Sequence, residues 1–194
     1  MLTEIQKRTR KPTKPASWAT LRRQLATWDK PALLALVKDL YEAAAENRDF
    51  IQARCQTGEG GGEILEKYRG KIVEQFFPAR GEAKLKLGEA RKAIRDYRNA
   101  TGNLPGTAEL LMTYVENGAE FTHDYGDIDE RFYSSLESAL DELAALLRRG
   151  TPEIYPQFSQ RLARVEQMTS DIGWGFHDYI EDVVDQLEEE LGEL

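Results

Sequence analysis

Apolar residues recur along this chain at intervals of three and four, the spacing that lines one face of a helix. No segment alternates at period two for long enough to argue a strand. Trp18, Leu21, Leu25 and Trp28 follow Ser17 at spacings of three, four and three, which predicts a first helix with one buried stripe. Ser17 is placed to accept from the free amides at its start. Asp29 precedes Lys30-Pro31, and proline in a first turn restarts the chain as a second helix lined by Leu33, Leu34, Leu36, Val37, Leu40 and Tyr41. Asn47 is expected to cap a short third helix through Phe50, Ile51 and Arg54.

The run Gly58-Glu59-Gly60-Gly61-Gly62 interrupts this pattern. A phosphate loop would need a following Lys and Ser or Thr at the mouth of a helix, and Glu63 and Ile64 stand there instead. The run therefore reads as a flexible connection. A fourth helix is predicted from Glu63 to Phe77, with Ile64, Leu65, Tyr68, Ile72 and Phe76 inward and Pro78 as its stop. A fifth carries Leu87, Ala90, Ala93, Ile94 and Tyr97, with Arg91, Lys92, Arg95 and Arg98 on its exposed face. A turn through Thr101-Gly102-Asn103 and Pro105-Gly106 leads to a sixth, capped by Thr107 and lined by Leu110, Leu111, Tyr114, Val115 and Phe121.

Asp129 then caps a long seventh helix through Phe132, Leu136, Leu140, Leu143 and Leu147, ended by Gly150. An eighth starts at Thr151-Pro152, or later because of Pro156, with Ile154, Phe158, Leu162, Val165 and Met168 inward. The last opens near Trp174 and carries Phe176, Ile180, Val183, Val184 and Leu187. The expectation is an all-α fold of eight or nine short helices in antiparallel hairpins, whose close spacing resembles a HEAT-like array.

Charge divides the chain into three parts. Residues 1–16 hold five Lys and Arg against one Glu, with Pro12 and Pro15, and read as a basic flexible arm. Residues 17–187 form the helical domain, and 188–194 an acidic C-terminal tail. The net charge of -8 makes nucleic acid or an anionic membrane an unfavourable partner for the whole surface, leaving the arm as the one nucleic-acid contact. Residues 80–98 hold seven Lys and Arg against three acids, the one basic patch expected on the folded body. Cys55 is the sole cysteine, so no intrachain disulfide forms, and a cytoplasmic protein is expected. The basic start lacks the apolar run of a secretory signal, and no run is long enough to span a membrane.

Two polar and aromatic junctions carry the candidate chemistry, Tyr114 to Leu136 and Ser170 to Asp178. Each holds one of the two histidines, followed by aspartate: His123-Asp124 and His177-Asp178. Glu120 lies three residues before His123 and Glu181 four after His177, spacings that place each pair on one helical face as metal ligands require. If the junctions touch, Glu116, Glu120, His123, His177 and Glu181 would converge, and a metal-dependent hydrolase follows as the alternative function. A ferritin-like di-iron site needs two Glu-x-x-His pairs, and one is present. A calcium loop counted from Asp127 fails, with Arg131 at position five and Phe132 at position six. No serine has the glycine-flanked elbow of a nucleophile.

The same junctions also carry a family resemblance. Tyr68 with Phe76-Phe77-Pro78, Tyr114-Val115-Glu116 with Gly118, Tyr125-Gly126-Asp127-Ile128, Phe132-Tyr133 and Gly173-Trp174-Gly175-Phe176-His177-Asp178 resemble a family of small bacterial all-helical proteins classed as a domain of unknown function. The resemblance runs from about Trp18 to Asp185 and implies a bacterial cytoplasmic protein, with no established activity or cofactor to carry over. The chain is rich in packing patterns and poor in catalytic groups. The leading expectation is a non-enzymatic protein-interaction module without a cofactor. Its groove would be formed by Tyr125, Asp127, Tyr133, Trp174, Phe176, His177 and Asp178.

Overall fold

Side-chain caps set several helix starts in the computed structural model, which describes residues 16–55, 61–151, 153–173 and 175–192. Nine helices and no strand occur among these residues. They are α1 (Trp18–Leu25), α2 (Lys30–Ala43), α3 (Ala45–Cys55), α4 (Gly61–Phe76), α5 (Leu87–Thr101), α6 (Leu104–Tyr125), α7 (Glu130–Arg149), α8 (Pro156–Met168) and α9 (Phe176–Leu191). Ser17 caps α1 by accepting from Thr20 N, Asp29 caps α2 through Ala32 N at 2.9 Å, and Asp129 caps α7 through Phe132 N at 2.8 Å. The chain falls into two compact units, Met1–Arg48 and Asp49–Leu194.

The second unit is built around α6, which packs against α4, α5, α7 and α8, while α9 closes on α7 and α8. The arrangement is therefore centred on one helix rather than stacked in a line. Thirteen residues of α6 are buried, from Gly106 to Thr122. Gly118 lets α7 approach closely: a Cβ there would stand 2.3 Å from a methyl of the fully buried Leu136. Phe76 lies at the centre of an aromatic cluster, 5.4 Å from Tyr114 and 6.4 Å from both Phe121 and Phe132 between ring centroids. Asp49 is also buried here, held by the ammonium groups of Lys67 and Lys71 on α4.

The first unit contrasts with this. α1 and α2 have no buried residue, and Trp18, Leu21, Trp28, Leu33, Leu34, Val37 and Leu40 are all exposed. The stripe that the spacing places inside is thus open to water. Asn47 does not cap α3 but lies within it, its amide donating to the Leu40 carbonyl at 2.9 Å.

Other boundaries shift for identifiable reasons. Asn103, not Thr107, caps α6, because Pro105 lacks an amide hydrogen and fits the first turn. Thr107 instead donates to the Asn103 carbonyl at 2.7 Å. α8 begins at Pro156 for the same reason, and Pro152 lies outside the described residues. Gly61 and Gly62 open α4, while 58–60 of the glycine run, and the basic arm up to residue 15, lie outside the described residues. α9 continues through Glu188, Glu189 and Glu190 to Leu191, past the expected start of the acidic tail, and Arg148 on α7 pairs with Glu190.

Candidate functional site

The α6–α7 connection and the start of α9 do meet. Gly126, with φ of 85°, ends α6, and the extended stretch that follows delivers Asp127 beside Gly173, where a Cβ would lie 3.4 Å from the carboxylate. Tyr133, one turn into α7, faces Phe176 at the first position of α9, with ring centroids 5.1 Å apart. Both rings are buried, Phe176 completely. Gly175 precedes it at φ of 71°, a backbone region that favours glycine.

The buried hydroxyls of this corner bond to neighbouring groups, while Asp127 itself is exposed. The Tyr133 hydroxyl donates to Asp127 Oδ1 at 3.2 Å, accepts from Ile128 N at 3.2 Å and lies 2.8 Å from the Thr122 hydroxyl. Thr122 also reaches the Gly126 carbonyl at 3.1 Å. A tyrosine hydroxyl bonded in this way orders the turn between α6 and α7. His177 is half-buried, and its Nδ1 lies 3.4 Å from the Thr169 hydroxyl at the end of α8. Its partner is therefore on α8 and not on the first junction. Tyr125 and Asp178 are exposed, Tyr125 resting on Phe121 with centroids 4.6 Å apart, and Trp174 lies outside the described residues.

The proposed metal ligands are distributed differently. Glu120 and His123 are exposed on α6, and Glu181 is exposed on α9. Among the described residues no three His, Cys, Asp or Glu side chains are grouped to hold a metal ion. Glu116 is engaged elsewhere, in a charge ladder that joins three helices. Arg161 on α8 grips Glu116 with Nε and Nη2 at 2.7 and 2.6 Å and reaches Glu109 with Nη1 at 2.6 Å. Arg69 on α4 holds the other Glu109 oxygen at 2.9 Å and Thr113 at 3.1 Å. The doubly bonded Glu116 carboxylate, with help from Glu109, outweighs burial and raises the Arg161 guanidinium further above its ordinary value. The spacing of seven between Glu109 and Glu116, which places both on one face of α6, is the sequence signal for this ladder.

The basic patch at 80–98 is partly neutralised. Arg91 turns inward to pair with Glu142 and lies 5.7 Å over the Tyr114 ring, Arg98 shares Glu142, and Lys84 pairs with Glu74. Lys86 and Arg131 border a groove of about 430 Å³ between the starts of α5 and α7, with Leu85, Leu87, Phe132 and Ser135. This groove contains no histidine or cysteine, and the Ser135 hydroxyl is 2.7 Å from Tyr114.

The surface that the residue pattern did not single out is the face of α1 and α2. Trp18 is 69% exposed and Leu34 58% exposed. On α2, Leu33, Leu34, Val37 and Leu40 are exposed on one helical face, and contiguous exposed apolar residues, unlike single ones, mark surfaces that bind something. No helix of the described residues is long and apolar enough to cross a membrane. Comparison with known protein families, with characterised proteins and with solved structures finds no match.

Proposed function

We propose that this chain is a non-enzymatic protein-interaction module and that α1 and α2 present its docking face. One observation carries the reading: two helices with side-chain caps, and the turn between them, expose seven large apolar side chains, and neither helix buries a residue. Leaving such surface in water costs about 25 cal/mol per Å², so a partner that covers it gains that amount before the cost of association. Trp18 and Trp28 supply the wide rings that dominate binding energy where a partner offers pockets. The corner of Asp127, Tyr133 and Phe176 has the supporting role of fixing α6, α7 and α9, since its buried Thr122 and Tyr133 hydroxyls are already bonded.

Affinity capture with the immobilised full chain tests this reading, comparing it with a variant carrying Leu34→Glu and Leu40→Glu. Retained proteins, the chain itself included, should be lost from the variant while its helical circular dichroism is unchanged. Identical retention by the two would overturn the reading.

A further inference from the structure

We infer that the partner of α2 is a second copy of this chain, packed antiparallel against it about a two-fold axis at Val37. The inference rests on the reading of α1 and α2 as a docking face and names its occupant.

The argument begins with the spacing on α2. Leu34 and Leu40 lie three residues before and after Val37, and Leu33 and Tyr41 lie four before and after. At about 100° per residue these five positions form one stripe roughly 120° wide, with Val37 on its midline. A stripe symmetric about its midpoint is self-complementary. Turned end for end, it sets Val37 against Val37, Leu34 against Leu40 and Leu33 against Tyr41, each of the last two contacts occurring twice, as an isologous interface requires. Leu33, Leu34, Val37 and Leu40 are exposed; Tyr41 is half-buried, with Arg48 5.4 Å over its ring.

Area and charge agree with that occupant. The four exposed apolar side chains of the α2 stripe leave on the order of 350 Å² in water, the apolar centre of an interface whose polar rim would supply the rest of the roughly 800 Å² per partner of a standard one. Residues 16–48 carry five Lys and Arg against four Asp and Glu, so two copies meet without a like-charge penalty. Antiparallel packing also sets each helix start beside the other's end, which suits their dipoles.

Sedimentation of the full chain between about 1 and 100 µM provides the test, with Leu34→Glu and Leu40→Lys as single variants. Both positions are exposed, so the helices persist in each, as circular dichroism would verify. The wild type should dimerise, and each variant alone should dissociate by roughly 100-fold or more, because each buries two unpaired charges. An equimolar mixture of the two variants should dimerise again: Glu at 34 meets Lys at 40 on one side of the axis, and leucine meets leucine on the other. Single variants that dissociate but fail to recombine would overturn the antiparallel axis. A dimer indifferent to both substitutions would overturn the face. A wild type monomeric throughout, or monomeric and sedimenting with phosphatidylglycerol vesicles, would overturn the second copy. In that case the capture comparison decides separately whether α1 and α2 dock a different protein.

Discussion

The helices after Asp49 and the two helices before it follow the same rule of apolar spacing and reach opposite ends. In α6 and α7 each stripe meets another, so that Tyr114, Leu136 and Phe132 are almost wholly removed from water. In α1 and α2 an equally regular stripe, with equally sound caps, faces outward. Periodicity therefore determines that a helix forms and which face is apolar. What covers that face depends on the other surfaces the chain offers, or on another molecule.

The largest effect that would test this contrast comes from Phe76. Its ring is packed against Tyr114, Phe121 and Phe132 and is about 1% exposed. Phe76→Ala should cost about 3–5 kcal/mol of unfolding free energy, since three further rings of the cluster cannot all collapse into the space. Urea unfolding followed by circular dichroism measures it. A loss under about 1 kcal/mol would mean that the Asp49–Leu194 core is no better closed than α2, and the contrast would fail.

From Glu63 onward the core was legible because each stripe has an internal counterpart. Ile64, Tyr68, Ile72 and Phe76, and later Phe132, Leu136, Leu140, Leu143 and Leu147, are buried as their spacing predicts. Caps were less legible where two polar residues compete within a few positions. Asn103 and Thr107 both suit a helix start, and only the amide missing from Pro105 decides between them. The meeting of the two junctions was foreseeable from their aromatics and glycines. The partner of His177 was not, because Thr169 comes from the end of α8, outside both stretches. Arg91 was misplaced on the solvent face because a long side chain can reach inward from a helix flank, here to Glu142 and the Tyr114 ring.

A middle-sized effect lies at the first residue of the second unit. Burial works to neutralise Asp49, yet hydrogen bonds and attraction from Lys67 and Lys71 outweigh it and hold the carboxyl below the usual carboxylate range. A carboxyl whose folded pKa is depressed adds stability above its unfolded pKa and loses it as pH falls through the folded value. The wild type should therefore lose stability below about pH 4 more steeply than Asp49→Asn, which at pH 7 should be about 1–2 kcal/mol less stable. Urea midpoints taken from pH 6 to about pH 2.5 give both slopes. Parallel slopes would show that the Lys67 and Lys71 contacts do not anchor Asp49 in solution.

The smallest effect is expected where the stripe is open. Leu34→Ala on α2 removes a side chain that touches little in the isolated chain, and alanine is the better helix former, so dilute protein should change by about 0.5 kcal/mol or less. The same substitution in a chain that pairs through Val37 acts through mass action, because association stabilises only the copies that bind. The difference in melting temperature between wild type and Leu34→Ala should therefore be near zero at low concentration and widen as concentration rises. A gap already present in dilute protein and constant with concentration would mean that Leu34 is buried within its own chain. The first unit would then differ from the second in degree and not in kind.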